Sequence, residues 1–192
     1  MKAKITGIGH YLPNKVVTND DLATQFDITA ERIFQKTGIR QRRYLEMGST
    51  SNLVIKAVKN LIGSNTYKLK DLDCLILGTT TPDYFFPATA TAVLSELNAK
   101  DAYGFDVSAA CSGFMYALHL GRLMIESGEA KKIIVCGGDK LSSTLTGHDY
   151  KTAVLFGDGA GAVMLEATDE NEENYLHKSI CSMKRGGLSE VY

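Results

Sequence analysis

Between Asp73 and Thr79 the chain reads Cys74-Leu75-Ile76-Leu77-Gly78, a run without a charged side chain and too short for a packed helix. A half-buried strand alternates apolar and polar residues, so an unbroken apolar run of this length belongs to a strand covered on both faces. Ile133-Ile134-Val135-Cys136 is a second run of the same kind. Strands of this type are joined through crossover helices into a largely parallel sheet, and the sequence alternates the two elements accordingly. Strands are expected over 3–8, 73–79, 102–107 and 132–136, and over the pair 152–157 and 160–166; helices are expected over 19–26, 30–36, 49–62, 88–97 and 111–127. Asn19 or Asp20 and Ser49 or Thr50 are placed as helix N-caps, with Gly63 and Gly128 as stops. The class is α/β.

At 192 residues and 44% hydrophobic content the chain can bury one substantial core, as a single domain or a large structural half. Lys and Arg number 21 against 22 Asp and Glu, so a net charge of -1 supplies no bulk attraction to nucleic acid or an anionic membrane. The opening Met1-Lys2-Ala3-Lys4-Ile5-Thr6-Gly7 is too polar for a secretory leader, and no apolar run is long enough to span a bilayer. A cytoplasmic protein is expected. Cys74, Cys111, Cys136 and Cys181 are widely spaced without a C-x-x-C pair, which points to free thiols rather than a metal site or a disulfide framework. The acidic run 169–174 reads as a solvated turn. Gly157-x-Gly159-x-Gly161 leads into the strand-like Val163-Met164-Leu165, whereas a dinucleotide loop needs a helix there; a tight hairpin is expected instead.

The stretch Phe105-Asp106-Val107-Ser108-Ala109-Ala110-Cys111-Ser112-Gly113-Phe114 takes a strand through small residues into a helix that begins at the cysteine. Small residues let a substrate approach the backbone. A helix start offers unpaired N–H groups and the positive end of the dipole to a charged sulfur or a developing oxyanion. The helix that follows carries Phe114, Met115, Ala117, Leu118, Leu120, Leu123, Met124 and Ile125, apolar almost all round, and is expected to be buried. On geometry alone two readings of Cys111 stand: a nucleophile, or a small core filler as expected for Cys74 and Cys136 inside their strands.

Four motifs in order carry a resemblance that extends along the chain: Ile5-Thr6-Gly7-Ile8-Gly9-His10-Tyr11-Leu12-Pro13, Thr37-Gly38-Ile39-Arg40-Gln41-Arg42-Arg43, the Asp106 to Phe114 segment, and Phe156-Gly157-Asp158-Gly159-Ala160-Gly161-Ala162. Together they resemble the bacterial β-ketoacyl-[acyl-carrier-protein] synthases of type III. The resemblance implies a thiolase-like half-fold, a mixed five-stranded sheet packed with helices and a central buried helix starting at the nucleophile. It implies that Cys111 accepts an acyl group from acyl-CoA and that the thioester condenses with malonyl-ACP as carbon dioxide leaves. No cofactor or metal is implied. The partners implied are acyl carrier protein, acyl-CoA and a second copy of the chain.

Members of that family carry a second half with a His and an Asn that complete the site. Residues 1–168 are accordingly read as the cysteine-bearing half and 169–192 as a connection toward the other. The histidines do not substitute: His119 lies in the buried helix, His10 near a strand end, His177 in a strand-like run, and His148 in a loop as a surface residue. Where the family places a Trp against adenine this chain has Arg32, with Lys36 matching a basic residue, while Tyr150 or Lys151 stands where a second CoA-contacting Arg is usual. Arg32, Lys36, Tyr150 and Lys151 are therefore the CoA-binding candidates. Lys36, Arg40, Arg42 and Arg43 form a basic cluster, read either as a solvated face or as a contact for CoA phosphates or an acidic carrier. The 79–87 loop, with Tyr84, Phe85 and Phe86, is unusually aromatic. By resemblance it crosses a dimer interface, where Phe86 closes the partner's acyl pocket. Another thiolase-fold activity, such as that of a hydroxymethylglutaryl-CoA synthase, and a non-catalytic pairing subunit are the alternatives.

Overall fold

The computed structural model describes residues 1–63, 67–145, 149–169, 171 and 173–177. The expectations for His148, Cys181 and the rest of 178–192 lie outside the described residues. In chain order the elements are β1 (Lys2–Tyr11), β2 (Lys15–Thr18), α1 (Asn19–Ala23), α2 (Ala30–Thr37), β3 (Gln41–Tyr44), α3 (Thr50–Gly63), β4 (Cys74–Gly78), α4 (Thr89–Glu96) and β5 (Tyr103–Val107). They continue as α5 (Gly113–Glu126), β6 (Lys132–Lys140), α6 (Tyr150–Ala153) and β7 (Asp158–Thr168), with single 3-10 turns at Leu69–Asp71, Ala110–Ser112 and Leu141–Thr144.

Five strands form one sheet in the order β1-β7-β6-β4-β5. The strand β4 runs parallel to β5 and β6, whereas β7 is antiparallel to β6 and β1, so the sheet is mixed. The two-residue period of the strands explains the layers. Leu75 and Leu77 of β4, Ile134 and Cys136 of β6 and Met164 of β7 face α3 and α4, while Cys74, Ile76, Ile133, Val135, Val163 and Leu165 face α5. Both faces of the uniformly apolar strands are covered, as their sequences require. A satellite cluster of Val17, Leu22, Ile33 and Val154 joins the small β2–β3 sheet to α1, α2 and α6.

Several expectations are corrected. The 152–157 segment is not a strand: Asp149 caps the short helix α6 by accepting from the Lys151 N–H, and Val154 is buried beyond it. A short apolar run cannot distinguish a strand from a buried helical turn. Without that strand there is no hairpin at Gly157–Gly161; Gly159 and Gly161 lie inside β7, opposite Asp139 and Gly137. The close packing expected of the glycines does occur, since a β-carbon on Gly157 would stand 3.1 Å from Arg42 Cβ. The cap of α1 is Thr18, one residue ahead of Asn19, in a reciprocal capping box with Asp21. Asn19 instead turns inward, donating to the Ile39 carbonyl at 2.7 Å and accepting from Arg42. His177 lies outside any strand, its ring tilted against that of Tyr175 with the centroids 4.4 Å apart.

Candidate active site

The site begins where β5 ends. Both oxygens of Asp106 accept backbone N–H groups at the start of α4, Thr89 at 2.7 Å and Ala90 at 2.9 Å, so strand and helix are locked together. Beyond Val107 the backbone turns sharply: Ala109 sits at φ -150, ψ 35, and Ala110 takes a left-handed φ of 45. For a residue with a β-carbon this conformation costs on the order of 1–3 kcal/mol and persists where the surroundings enforce it, which is characteristic of functional turns. Cys111 follows in a 3-10 turn closed by the Ser112 N–H donating to the Ala109 carbonyl. Cys111 is therefore one tight turn ahead of α5 rather than its first residue, because the left-handed Ala110 delays the helix to Gly113.

The turn presents the thiol to solvent. Cys111 is exposed, whereas Cys74 and Cys136 are fully buried. Burial pushes the Cys74 thiol up to about 12 and raises that of Cys136 as well, which keeps both protonated and unreactive. Among the described residues, Cys111 is the exposed thiol. The core-filler reading holds for the other two.

Close contact fixes the start of α5. Gly78, the last residue of β4, lies directly under Gly113 and Phe114, and the Thr79 N–H donates to the Val107 carbonyl at 3.2 Å. Farther along, Ala117, Gly121 and Ile125 form the buried stripe, and Gly121 lets the helix approach Leu165 and Val135. The opposite face is not buried, contrary to expectation: Met115 is 51% exposed and Leu123 42%, with Tyr116 and Leu120 similar. An all-round apolar helix needs cover on two sides, and the described residues supply only the sheet.

The remaining candidates are only partly assembled. Arg32, Lys36 and Tyr150 line one open cavity of about 820 Å³ beside Asp27 and Thr29, with Lys36 Nζ 5.7 Å from the Tyr150 ring centroid. Lys151, although next to Tyr150, is outside that wall and exposed. The basic cluster does not form one patch. Arg42 is buried, donating to Asn19 Oδ1, Val17 O and Val154 O, Arg43 donates to Pro13 O and Asn14 O, and Arg40 lies over the Phe34 ring. Tyr84, Phe85 and Phe86 stand out in solvent on the 79–87 loop. His119 lies within α5, six residues past its first residue Gly113 and so about 9 Å of helical rise beyond the helix start that follows Cys111.

Sequence reasoning passed over the carboxylates that hold these loops. Asp139, at the end of β6, accepts from the Thr80 N–H at 2.7 Å and from the hydroxyls of Thr79, Thr80 and Thr81. Asp83 accepts from Ser51 N and Ser49 Oγ at the start of α3, and Asp158 from Leu45 N and Ser142. The sequence signature of Asp139 and Asp158 is an acidic residue closing an apolar strand or opening one, whereas Asp83 lies inside the 79–87 loop and has no such mark. No group of His, Cys, Asp and Glu among the described residues is arranged to hold a metal, and no described helix is long and apolar enough to cross a membrane.

A mixed five-stranded sheet sandwiched between α3–α4 and α5, with an exposed cysteine at the strand-to-helix turn, defines half of a thiolase-like fold. The family model of 3-oxoacyl-[acyl-carrier-protein] synthase III matches residues 105–183. The chain is 44% identical over 180 residues to the β-ketoacyl-[acyl-carrier-protein] synthase III of Streptococcus mutans, covering 94% of this chain and 55% of that protein. The crystal structure of the synthase III from Aquifex aeolicus superposes with a TM-score of 0.84 at 43% identity, over 88% of this chain and 55% of that one. The Pseudomonas aeruginosa structure gives 0.87 at 38% identity, over 92% and 54%. In sequence and fold the chain is similar to one part of the β-ketoacyl-[acyl-carrier-protein] synthases III. It spans about half the length of the curated relatives it matches.

Proposed function

We propose that this chain is the nucleophile-bearing half of a β-ketoacyl-[acyl-carrier-protein] synthase III that starts fatty-acid or related polyketide chains. The observation that carries the reading is the exposed Cys111 in a backbone turn made left-handed at Ala110, between the end of the edge strand β5 and the start of α5. The sulfur attacks the thioester carbonyl of an acyl-CoA, CoA leaves as its thiol, and the acyl group remains on Cys111. Malonyl-ACP then loses carbon dioxide, and the resulting carbanion attacks the acyl carbonyl. The new carbon–carbon bond displaces the cysteine sulfur and releases 3-oxoacyl-ACP.

The same reading assigns roles to the rest of the chain. Residues 1–168 form the cysteine half and 169–192 lead toward a second half, which supplies the carbanion-stabilising His and Asn. That second half covers the exposed face of α5, and the apolar row Met115, Tyr116, Leu120 and Leu123 supports this. Arg32, Lys36 and Tyr150 receive the nucleotide end of CoA, supported by their shared cavity, with Lys151 at its margin. Two copies pair in the cytoplasm, and Phe86 from each limits the acyl pocket of the other. Acyl carrier protein is the second substrate carrier.

Intact-protein mass spectrometry after incubation with short acyl-CoA tests the central step. One acyl adduct, mapped to Cys111 and absent in Cys111→Ala, is expected. An adduct that survives this substitution, or that maps to Cys74 or Cys136, overturns the assignment.

A further inference from the structure

The entry to the aromatic loop converges on a single oxygen. Asp139 Oδ1 accepts from Thr79 Oγ1 at 2.9 Å, Thr80 N at 2.7 Å, Thr80 Oγ1 at 3.0 Å, Thr81 N at 3.2 Å and Thr81 Oγ1 at 3.2 Å. No side chain within three consecutive residues is left to set the course of the loop independently. The Thr81 hydroxyl also meets Thr50 Oγ1 at 2.9 Å and accepts from the Lys140 N–H, and the Thr81 carbonyl accepts from Thr50 Oγ1. On its other side Thr79 is buried and its N–H is held by Val107, four residues before Cys111. Asp139 thus lies on a short chain of hydrogen bonds between the nucleophile turn and the segment that carries Tyr84, Phe85 and Phe86.

We propose that Asp139 is a positioning residue: by fixing the Thr79–Thr81 turn it sets where the aromatic loop stands, and so the length of acyl chain that the cysteine site of the paired copy admits. This rests on the reading that Phe86 walls that site. A carboxylate suits the task because one ionised oxygen can take several donors at once, and such charge-assisted bonds are the strong ones. An amide side chain presents a neutral oxygen and adds two N–H groups that the threonines would have to accommodate. Asp139→Asn should therefore loosen the turn while leaving β6 and its neighbours in place, since the backbone pairing of Asp139 with Gly159 does not involve the side chain.

The test uses the unaltered chain and its variants with a series of N-alkylmaleimides from methyl to octyl, reading the Cys111 adduct by peptide mass spectrometry. These probes report size discrimination at the sulfur without needing CoA recognition. In the unaltered chain the octyl reagent is expected to react more slowly than the methyl one. In Asp139→Asn that ratio should shrink by about tenfold, the scale of a small change in an apolar pocket, with the methyl rate within about twofold of its original value. Thr81→Val attacks the same link from the loop side and should act in the same direction. In the Phe86→Ala background Asp139→Asn should add nothing, as expected when one residue acts through the other.

If Phe86→Ala removes the discrimination and neither Asp139→Asn nor Thr81→Val does, the inference is overturned and the role of Phe86 stands. If Asp139→Asn removes it and Phe86→Ala does not, Asp139 acts through the loop and the role of Phe86 falls. Equal loss of methyl and octyl reactivity in Asp139→Asn would mean a purely structural carboxylate. Absence of discrimination in the unaltered chain overturns both readings.

Discussion

A β-carbon built on Gly78 would stand 2.5 Å from the carbonyl carbon of Gly113, while one built on Gly113 meets nothing closer than 3.4 Å, the α-carbon of Gly78 among others. The contact is one-sided: the end of β4 must be glycine so that the start of α5 can sit on it, but the start of α5 need not be.

Gly78→Ala and Gly113→Ala should therefore differ sharply. The first inserts a methyl group against backbone that cannot swing away, at a cost of about 1–3 kcal/mol, and moves the turn that holds Cys111. The second should be near neutral, since alanine favours helix over glycine by up to about 1 kcal/mol. Urea unfolding and the rate of Cys111 acylation, measured on both variants, check the asymmetry.

The cavity shared by Arg32, Lys36 and Tyr150 yields a second expectation. Lys36→Ala should weaken an acyl-CoA donor about tenfold, the effect of losing one charged contact worth about 1.5 kcal/mol, and Lys151→Ala should do less. Modification of Cys111 by iodoacetamide should not change in either variant. Equal sensitivity of the two probes would show that Lys36 acts on the fold and not on the donor.

Stability should fall in alkali. Burial lifts the Cys74 thiol from 9.0 to about 12 and also raises that of Cys136, so the folded chain keeps protons that the unfolded chain releases. Between about pH 9 and pH 12 the unfolded state binds fewer protons, and the stabilisation present below that window is lost as pH rises. The urea midpoint should be lower at about pH 10.5 than at about pH 8, and Cys74→Val should reduce the difference.

Condensation should need more than residues 1–192. Acylation requires a nucleophile and nearby donors, but a carbanion equivalent must be held by fixed groups, and losing even one such donor typically costs about 100- to 1,000-fold. Ketoacyl product from malonyl-ACP should be near background with this chain alone and should appear when the second half of a relative is fused or supplied in trans. Robust turnover by the 192-residue chain alone would assign the missing role to a residue within it.

The central layers were legible because they depend on local pattern. Uniform apolar runs at Cys74–Gly78 and Ile133–Cys136 permit little but two-sided strands, and the small residues around Cys111 mark a turn that must pass close to other atoms. What escaped notice depends on distant partners. The strands β2 and β3 are four residues each and gain their definition from pairing Lys15–Thr18 with Gln41–Tyr44. Arg42 looks like a surface cation until the carbonyls of Val17 and Val154 are brought around it. Asp139 collects donors from about sixty residues away, a relationship no local window contains. The bared side of α5 was misjudged because hydrophobicity reports a need for cover and not which part of a protein provides it.

Asp106 binds two main-chain N–H groups just beyond the aromatic loop, as Asp139 binds the turn just before it. Neither carboxylate accepts a hydrogen bond from Tyr84, Phe85 or Phe86, and between the two anchors the stretch is tied once more at Asp83, which accepts from Ser51 N and Ser49 Oγ. The exposed side chains at 84–86 can therefore be rewritten without breaking these bonds, and on the proposed role of Phe86 one scaffold would acquire new chain-length preferences through a few substitutions in a single loop.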